Sequence, residues 1–133
     1  MINPLSTSLA GLMAASKKAS VAASNIANAD SVGSTNPSDP NQAYSAKTTQ
    51  DVSVAGGGVN TVVLNRTPPF VPSYEPDSPF ANTDGMVNSP NVNLDEELIT
   101  TKMAENSYQA NLMALKTSLR MQDTLQKALD TKS

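Results

Sequence analysis

The feature that most constrains the fold is a long heptad-like repeat in the last third of the chain. Between residues 94 and 129, seven of the eleven positions that alternate at spacings of four and three are apolar, and this spacing keeps them on one face of an α-helix. Asn93 can cap this helix, and the acidic residues 95–97 stand in its first turn, where the helix dipole favours negative charge. The pattern predicts a long C-terminal helix over residues 93–133.

A second helix is predicted near the N-terminus, within residues 1–30. Residues 4–28 are rich in alanine, serine and leucine, and they repeat the four-and-three spacing. Small residues in the later half of this segment would let a partner backbone approach closely. We expect the two helices to pack against each other through a seam formed by Leu5, Leu9, Leu12, Ala19, Ala23, Ile26, Leu94, Leu98, Tyr108, Leu112, Leu115 and Leu119.

The C-terminal helix carries a second apolar stripe on a different face. It consists of Ile99, Met103, Ala110, Met113, Met121 and Leu125. Because a helix with one partner needs only one stripe, two stripes favour a helix packed among several molecules, and we predict that the second stripe is an intersubunit seam. The alternative is a single wider face in a compact bundle, although the sequence offers few other helices for one.

The middle of the chain, residues 31–92, has a different composition. Eight of the nine prolines and five of the six glycines lie between residues 33 and 93. Residues 44–54 alternate as in a strand, the glycines at 56–58 mark a turn, and residues 59–65 can return as the partner strand. A β-hairpin is therefore predicted here.

Prolines interrupt residues 68–90 too often for a central strand. Extended segments and turns are expected there, with one turn at Asp84-Gly85. The fold is thus predicted to be mainly α, with an antiparallel-type coiled-coil core of the two terminal helices and a small irregular middle region that includes the β-hairpin. Its three parts are the N-terminal helix (1–30), the middle region (31–92) and the C-terminal helix (93–133).

Composition limits how much of a core one chain can build. Hydrophobic residues make up 38% of the chain and aromatic residues 4%, which is low for a well-filled small domain. Stability is therefore expected to depend partly on neighbouring molecules. The net charge is −3 and no dense run of lysine or arginine occurs, which argues against binding to nucleic acid.

No catalytic, metal-binding or cofactor-binding site is predicted. The chain contains no histidine and no cysteine, so it lacks the usual base of a serine hydrolase, thiol chemistry and the commonest transition-metal ligands. The acidic residues 95–97 point in different directions around a helix and do not converge on one ion or substrate. We expect a protein that is not an enzyme and that uses neither a cofactor nor a small-molecule substrate.

The N-terminal segment differs from a secretory signal peptide. Polar residues interrupt its apolar residues, no lysine or arginine precedes them, and Lys17 and Lys18 follow them. No apolar stretch approaches the length needed to span a membrane. If the protein leaves the cytoplasm, we expect it to do so without cleavage, through a dedicated export apparatus.

Short motifs near the two ends resemble those of flagellar axial proteins, the family of rod, hook and hook-associated subunits. The matching residues are Ser24, Asn25, Ile26, Ala27 and Asn28 at the end of the first helix, and Pro90, Asn91, Val92, Asn93, Tyr108, Ala110 and Asn111 before and within the last one. Together with residues 74–76, these motifs resemble the FlgC type of proximal rod protein. Residues 94–97 and 104–106 are also similar to the FlgB type, and residues 80–82 depart from the FlgC pattern.

This resemblance implies a structural subunit of the flagellar basal-body rod, which assembles through its terminal helices into the drive shaft that transmits torque to the hook. The implied partners are copies of the same chain, other rod proteins, the basal-body ring and the export apparatus, without direct membrane insertion. The implied location is the rod where it crosses the periplasm. The alternative from another class is a soluble helical binding module, such as a secretion chaperone or adaptor, that stays in the cytoplasm.

Overall fold

Two helices and two small antiparallel sheets make up the fold. The computed structural model describes residues 4–130. In chain order the elements are α1 (Pro4–Ala27), β1 (Lys47–Ser53), β2 (Val59–Asn65), β3 (Phe70–Tyr74), β4 (Met86–Pro90) and α2 (Leu94–Asp130). Neither helix of this part of the chain is long and apolar enough to cross a membrane.

The two helices pack against each other in opposite directions. Gly11, early in α1, lies against the side-chain amide of Asn111 near the middle of α2. Asn25, near the end of α1, is hydrogen-bonded to Glu97 in the first turn of α2. The ends of the chain therefore meet as an antiparallel pair, and the middle region forms its own sheets beside that pair.

Polar side chains define where each helix begins or ends. The Asn93 Oδ1 accepts hydrogen bonds from the backbone N–H groups of Asp95 at 3.1 Å and Glu96 at 3.3 Å, which confirms the predicted cap of α2. At the end of α1, the Asn28 side-chain amide donates to the Ser24 carbonyl at 2.8 Å. The same carbonyl also accepts the Asn28 backbone N–H at 3.2 Å, so Asn28 holds the last turn of the helix through two hydrogen bonds.

The predicted β-hairpin is present, and it packs on α1. β1 and β2 pair antiparallel, from Lys47 opposite Asn65 to Ser53 opposite Val59. Gly58 has a φ of 90°, and a Cβ there would stand 2.8 Å from the Ala10 Cβ. The turn therefore needs glycine both for its backbone conformation and for its close approach to the helix.

A second sheet forms where the sequence predicted irregular structure. β3 and β4 pair antiparallel, from Phe70 opposite Pro90 to Tyr74 opposite Met86. Among residues 4–130, β3 pairs only with β4, whereas the other edge of β4 also forms a bridge between Asn88 and Gly33. Proline is tolerated in β3 because it has no N–H to leave unpaired at an open edge. The predicted turn at Asp84-Gly85 is confirmed: the Gly85 N–H donates to the Asn82 carbonyl at 3.0 Å, and Gly85 has a φ of 75°.

The buried core is small and consists largely of alanine. Its apolar members are Leu12, Ala14, Ala15, Ala22, Ala43, Ala46, Val87 and Ala104. Val87 and Asn25 are the largest fully buried side chains in the described part of the chain. Since the area buried by an alanine is small, this core contributes little hydrophobic stabilisation.

The predicted fold class is confirmed in part, and the coiled-coil type of packing between the two helices stays a prediction. Helices at both ends and a β-hairpin between them are present. The description "mainly α" fits only roughly, because the middle region holds two paired sheets. The second sheet was missed since sequence reasoning treated prolines as barriers to pairing, whereas β3 and β4 have no central strand to interrupt.

Candidate assembly interface

Within residues 4–130, the register of the helix pair places the last part of α2 beyond the first residue of α1. The two contacts at Gly11–Asn111 and Asn25–Glu97 are equally separated along both helices, so Pro4 lies at about the level of Ser118. Residues 119–130, which we name the α2 extension, project beyond α1 and are exposed throughout. At a rise of 1.5 Å per residue, the extension is about 18 Å long.

Small residues line the contact between α1 and α2. Ser8, Ala15 and Ala22 in α1 are buried and follow one another at heptad intervals, and Ala104 is buried on the facing side of α2. At Gly11 an added Cβ would overlap the Asn111 amide. The backbones can approach closely because no large side chain separates them.

A buried polar node joins both helices to the hairpin. Asn25 is completely buried, and its side-chain amide donates to the Glu97 Oε1 and to the Lys47 carbonyl, both at 2.8 Å. The Asn25 Oδ1 accepts from the Lys47 N–H at 3.0 Å and from the Tyr44 hydroxyl at 3.1 Å. One amide thus uses both donors and its acceptor to connect α1, β1 and α2.

The node also holds a buried charge. Glu97 is only 3% exposed, and its Oε1 accepts a hydrogen bond from the Arg66 Nη2 at 2.9 Å. The Arg66 Nη1 reaches the exposed Glu96 at 3.2 Å. A buried carboxylate is tolerated when it is paired and hydrogen-bonded, and among residues 4–130 no buried side-chain nitrogen or oxygen lacks a partner.

One flank of the helix pair is covered by the hairpin. The Lys18 ammonium forms a 2.6 Å ion pair with Asp51 of β1. This ammonium and the Thr61 hydroxyl, which donates at 2.7 Å, hold the pKa of Asp51 below its usual range. The ion pair and the close approach of Gly58 to α1 therefore attach the hairpin to the helix at two further points, in addition to the node.

The opposite flank is an open, largely apolar groove between α1 and α2. Two adjoining cavities of about 630 and 560 Å³ share Ser16 and Tyr108 in their walls. The remaining apolar lining of this open groove comes from Leu9, Leu12, Met13, Ala15, Ala19, Ala104 and Leu112. On the α2 extension, Met121 and Leu125 are also exposed, at 69% and 62%.

Comparison with known proteins identifies the family. Residues 5–34 match the family described as flagella basal body rod protein, and residues 83–128 match the C-terminal family of the flagellar basal body rod proteins FlgEFG. The flagellar basal-body rod protein FlgC of Salmonella typhimurium is 39% identical over 123 residues, which cover 88% of this chain and 89% of the relative. The chain belongs to the FlgC family.

Other members of the FlgC family show the same extent of similarity. The protein of Agrobacterium fabrum is 37% identical over 80% of this chain and 78% of its own length. The protein of Buchnera aphidicola subsp. Acyrthosiphon pisum is 32% identical over 91% of this chain and 92% of its own length. The resemblance to the FlgC type that the end motifs indicated is thereby confirmed.

The N-terminal motif of this FlgC-family chain takes part in the node. Asn25 is its centre, and the Ser24 hydroxyl lies 3.1 Å from the Tyr44 hydroxyl. Asn28 ends α1 as described, whereas Ile26 is half-buried and Ala27 is exposed. The motif therefore joins the end of α1 to the start of the hairpin.

The second motif connects β4 to α2. Pro90 is buried at the end of β4, and Val92 is half-buried between the strand and the helix. Asn91 donates from its backbone N–H to the Pro69 carbonyl at 3.0 Å and from its side chain to the Pro68 carbonyl at 2.9 Å. With Asn93 as the cap, these residues fix the point at which α2 starts.

The later members of the second motif lie along α2. Tyr108 faces the open groove, Ala110 is exposed, and the Asn111 side chain donates to the Ser107 carbonyl at 2.8 Å while lying against Gly11. These residues therefore sit on different faces of the helix. Within this motif, Asn111 marks the contact with α1 and Tyr108 marks the open flank.

The structure brings together part of the predicted seam between the helices. Leu12 is buried and Leu5, Ala19, Ile26, Leu112 and Leu115 are half-buried, whereas Leu9, Ala23, Leu94, Leu98, Tyr108 and Leu119 are exposed. The contact runs instead along positions about one residue earlier, such as Ala22 and Ala104. The physical reason is size, because leucines at these positions would hold the backbones apart.

The predicted second seam lies on the surface of the single chain. Ile99, Met103, Ala110, Met113, Met121 and Leu125 are all exposed. Sequence reasoning missed the node residues Tyr44, Lys47, Arg66 and Glu97, since nothing in the local sequence pairs positions so far apart. A signal for the helix contact was available in the heptad repeat of small residues from Ser8 through Ala15 to Ala22.

Proposed function

We propose that this FlgC-family chain is a structural subunit of the flagellar basal-body rod, and that it assembles through its two helices. The observation that carries the proposal is the amount of apolar surface that the single chain leaves uncovered on both helices. Large apolar side chains on α1 and α2 that are more than 60% exposed include Met13, Ile99, Met103, Met113, Met121, Leu125 and Leu129. Apolar surface on this scale is typical of a protein interface.

The proposed role is mechanical. Helices of neighbouring subunits would cover the second seam and the open groove, so that the antiparallel pair becomes the core of a coiled-coil-like assembly. The hairpin and the β3–β4 sheet, which form the middle region between the helical parts, would stay at the side of that core. Torque would pass between subunits through packed side chains, and no bond-forming step is required.

The proposed partners are copies of the chain and other rod proteins, together with the basal-body ring and the export apparatus that the rod meets. The proposed location is the rod where it crosses the periplasm. Similarity to named rod proteins over most of the chain supports both proposals. A cytoplasmic secretion chaperone would have the same helical character but a different location and a stable, soluble partner.

Purified basal bodies provide the test. A strain whose own copy is deleted should regain motility when the chain is restored, and the chain should be found in basal bodies from that strain. The variant Leu112→Asp, expressed in the same deletion strain, places a charge at the edge of the open groove. It should abolish motility while export of other flagellar proteins persists. A chain that is absent from basal bodies and recovered as a stable cytoplasmic complex would identify the chaperone alternative instead.

A further inference from the structure

We infer that the α2 extension of one copy docks in the open groove of a second copy, so that subunits join head to tail. The inference rests on the proposed rod function and deepens it, because it names which surface of one subunit meets which surface of the next. It concerns two surfaces that the folded chain leaves uncovered, one at the end of α2 and one between α1 and α2.

The extension presents a compact apolar face. Met121, Leu125 and Ala128 lie within one cavity wall on the same side of the helix, flanked by Arg120 and Thr124. Residues 119–130 are exposed along their whole length. A helix with such a face is stabilised in water by a partner that covers it.

The groove matches the extension in length and character. Its α1 wall runs from Leu9 to Ala19, about 15 Å at the rise of an α-helix, against about 18 Å for the extension. Alanines form part of its lining, and Leu9, Met13, Tyr108 and Leu112 stand at its edges. Small residues between larger ones form a groove into which the ridge of another helix can pack.

A second copy is the occupant that the geometry favours. α2 is one continuous helix from Leu94 to Asp130, so its extension points away from the groove of its own chain and cannot fold back into it. One pair of charges at the two surfaces is also complementary: Glu105 lines the groove, whereas Arg120 flanks the apolar face of the extension. Each subunit therefore carries one donor surface and one acceptor surface.

The symmetry of this contact has a direct consequence. Two different patches meet, so each added copy still offers a free extension or a free groove. Contacts of this heterologous kind continue into open helical assemblies unless the rotation between copies closes a ring. A contact between two equal patches would instead stop at a dimer.

Cysteine cross-linking tests the contact cleanly, because the chain has no cysteine of its own. Met13→Cys in one copy and Leu125→Cys in a second, affinity-tagged copy are mixed and oxidised in air. The yield of disulfide-linked heterodimer should be about tenfold higher than the yield from Leu125→Cys and the control Val71→Cys, because docking raises the local concentration of the two thiols. Val71 is exposed on β3, away from both surfaces.

A charge exchange adds specificity to the same measurement. Glu105→Arg in the Met13→Cys copy should lower the heterodimer yield about two- to fivefold, as expected for a solvent-exposed pair. Adding Arg120→Glu to the Leu125→Cys copy should restore it. The inference would be overturned if the yield of heterodimer equalled that of the Val71→Cys control. It would also be overturned if, in basal bodies, Leu125→Cys formed cross-links only with a different rod protein.

The outcomes separate the contact from the rod function. A chain that enters basal bodies and restores motility without the Met13–Leu125 cross-link retains the proposed function and refutes the contact. A cross-link between purified copies of a chain that is absent from basal bodies retains the contact and refutes the function.

Discussion

The side-chain amide of Asn25 donates a 2.8 Å hydrogen bond to the carboxylate of Glu97, and this bond joins the end of α1 to the first turn of α2. Both side chains are buried, and both also reach the middle region, Asn25 through the Lys47 backbone and Glu97 through Arg66. Polar contacts at this node therefore join both helices to the hairpin, in a chain whose apolar core is made mostly of alanine.

Asn25→Ala should lower the free energy of unfolding by about 2–4 kcal/mol, because it removes the hydrogen bonds that this buried amide makes to Glu97, to the Lys47 backbone and to the Tyr44 hydroxyl. Chemical denaturation followed by circular dichroism measures the change. The exposed helical residue Asn106 supplies the control: Asn106→Ala should change the same quantity by at most about 0.5 kcal/mol. Equal effects of the two substitutions would show that the node does not stabilise the fold.

Glu97→Gln should destabilise the chain by about 1–3 kcal/mol, since an uncharged amide does not balance the positive charge of the Arg66 guanidinium. Glu96→Gln is the matched control, because Glu96 pairs with the same arginine but is 59% exposed, and its effect should stay below about 1 kcal/mol. Combining Glu97→Gln with Arg66→Met should cost less than the sum of the single changes. Strict additivity would contradict a direct interaction.

Ala22→Leu and Ala23→Leu distinguish the observed helix contact from the predicted leucine seam. Ala22 is 1% exposed against α2, so a larger side chain should cost about 1–3 kcal/mol through overpacking. Ala23 is exposed, and its substitution should leave the unfolding free energy within about 0.5 kcal/mol of the parent chain. The opposite order of effects in thermal melts would place the seam where the sequence predicted it.

Attachment of the hairpin to α1 should weaken as the pH falls below about 4, the ordinary range of an aspartate. The pKa of Asp51 is lowered in the folded chain, first by Lys18 and then by Thr61. A lowered pKa means that the stabilisation is complete above the unfolded value of 3.8 and is lost as the pH drops through the folded value. Amide hydrogen exchange in β1 and β2 reports this loss.

Lys18→Gln is the control for that pH dependence. It removes the ion pair at every pH, so the hairpin of this variant should exchange faster at neutral pH and should lose less protection on acidification. If the variant and the parent chain show the same acid response, another group is responsible for the pH dependence.

Sequence reasoning succeeded where the signal is local. The cap at Asn93, the long apolar repeat of α2 and the glycine turn at residues 56–58 each depend on neighbouring residues, and each is present. The face through which the helices contact each other was harder to predict from the sequence. The leucine repeat and the repeat of small residues are offset by one position, and only the packing of the two helices decides between them. The pairing of β3 with β4 was missed because proline at an open strand edge costs little.

The polar node could not be read from the sequence. Asn25, Arg66 and Glu97 are separated by long stretches of chain, and none of them stands in a pattern that demands the other two. The similarity at the two ends indicated the family. It did not indicate that Asn25 of the N-terminal motif contacts Glu97 of α2. Only the antiparallel register brings these residues together.

The position of the node at one end of the helix pair has a mechanical consequence. The node holds one end of the pair, and the contacts of Lys18 with Asp51 and of Gly11 with Asn111 hold the length where α1 and α2 lie side by side. A load would therefore bend the subunit most beyond these contacts, as it bends a cantilever beyond its support. The part of the subunit in which α1, α2 and the hairpin pack together would keep its shape under load, and residues 119–130 would deflect. Such a subunit can accommodate neighbours at slightly different spacings without unfolding, and elastic strain would be stored in the helix tips.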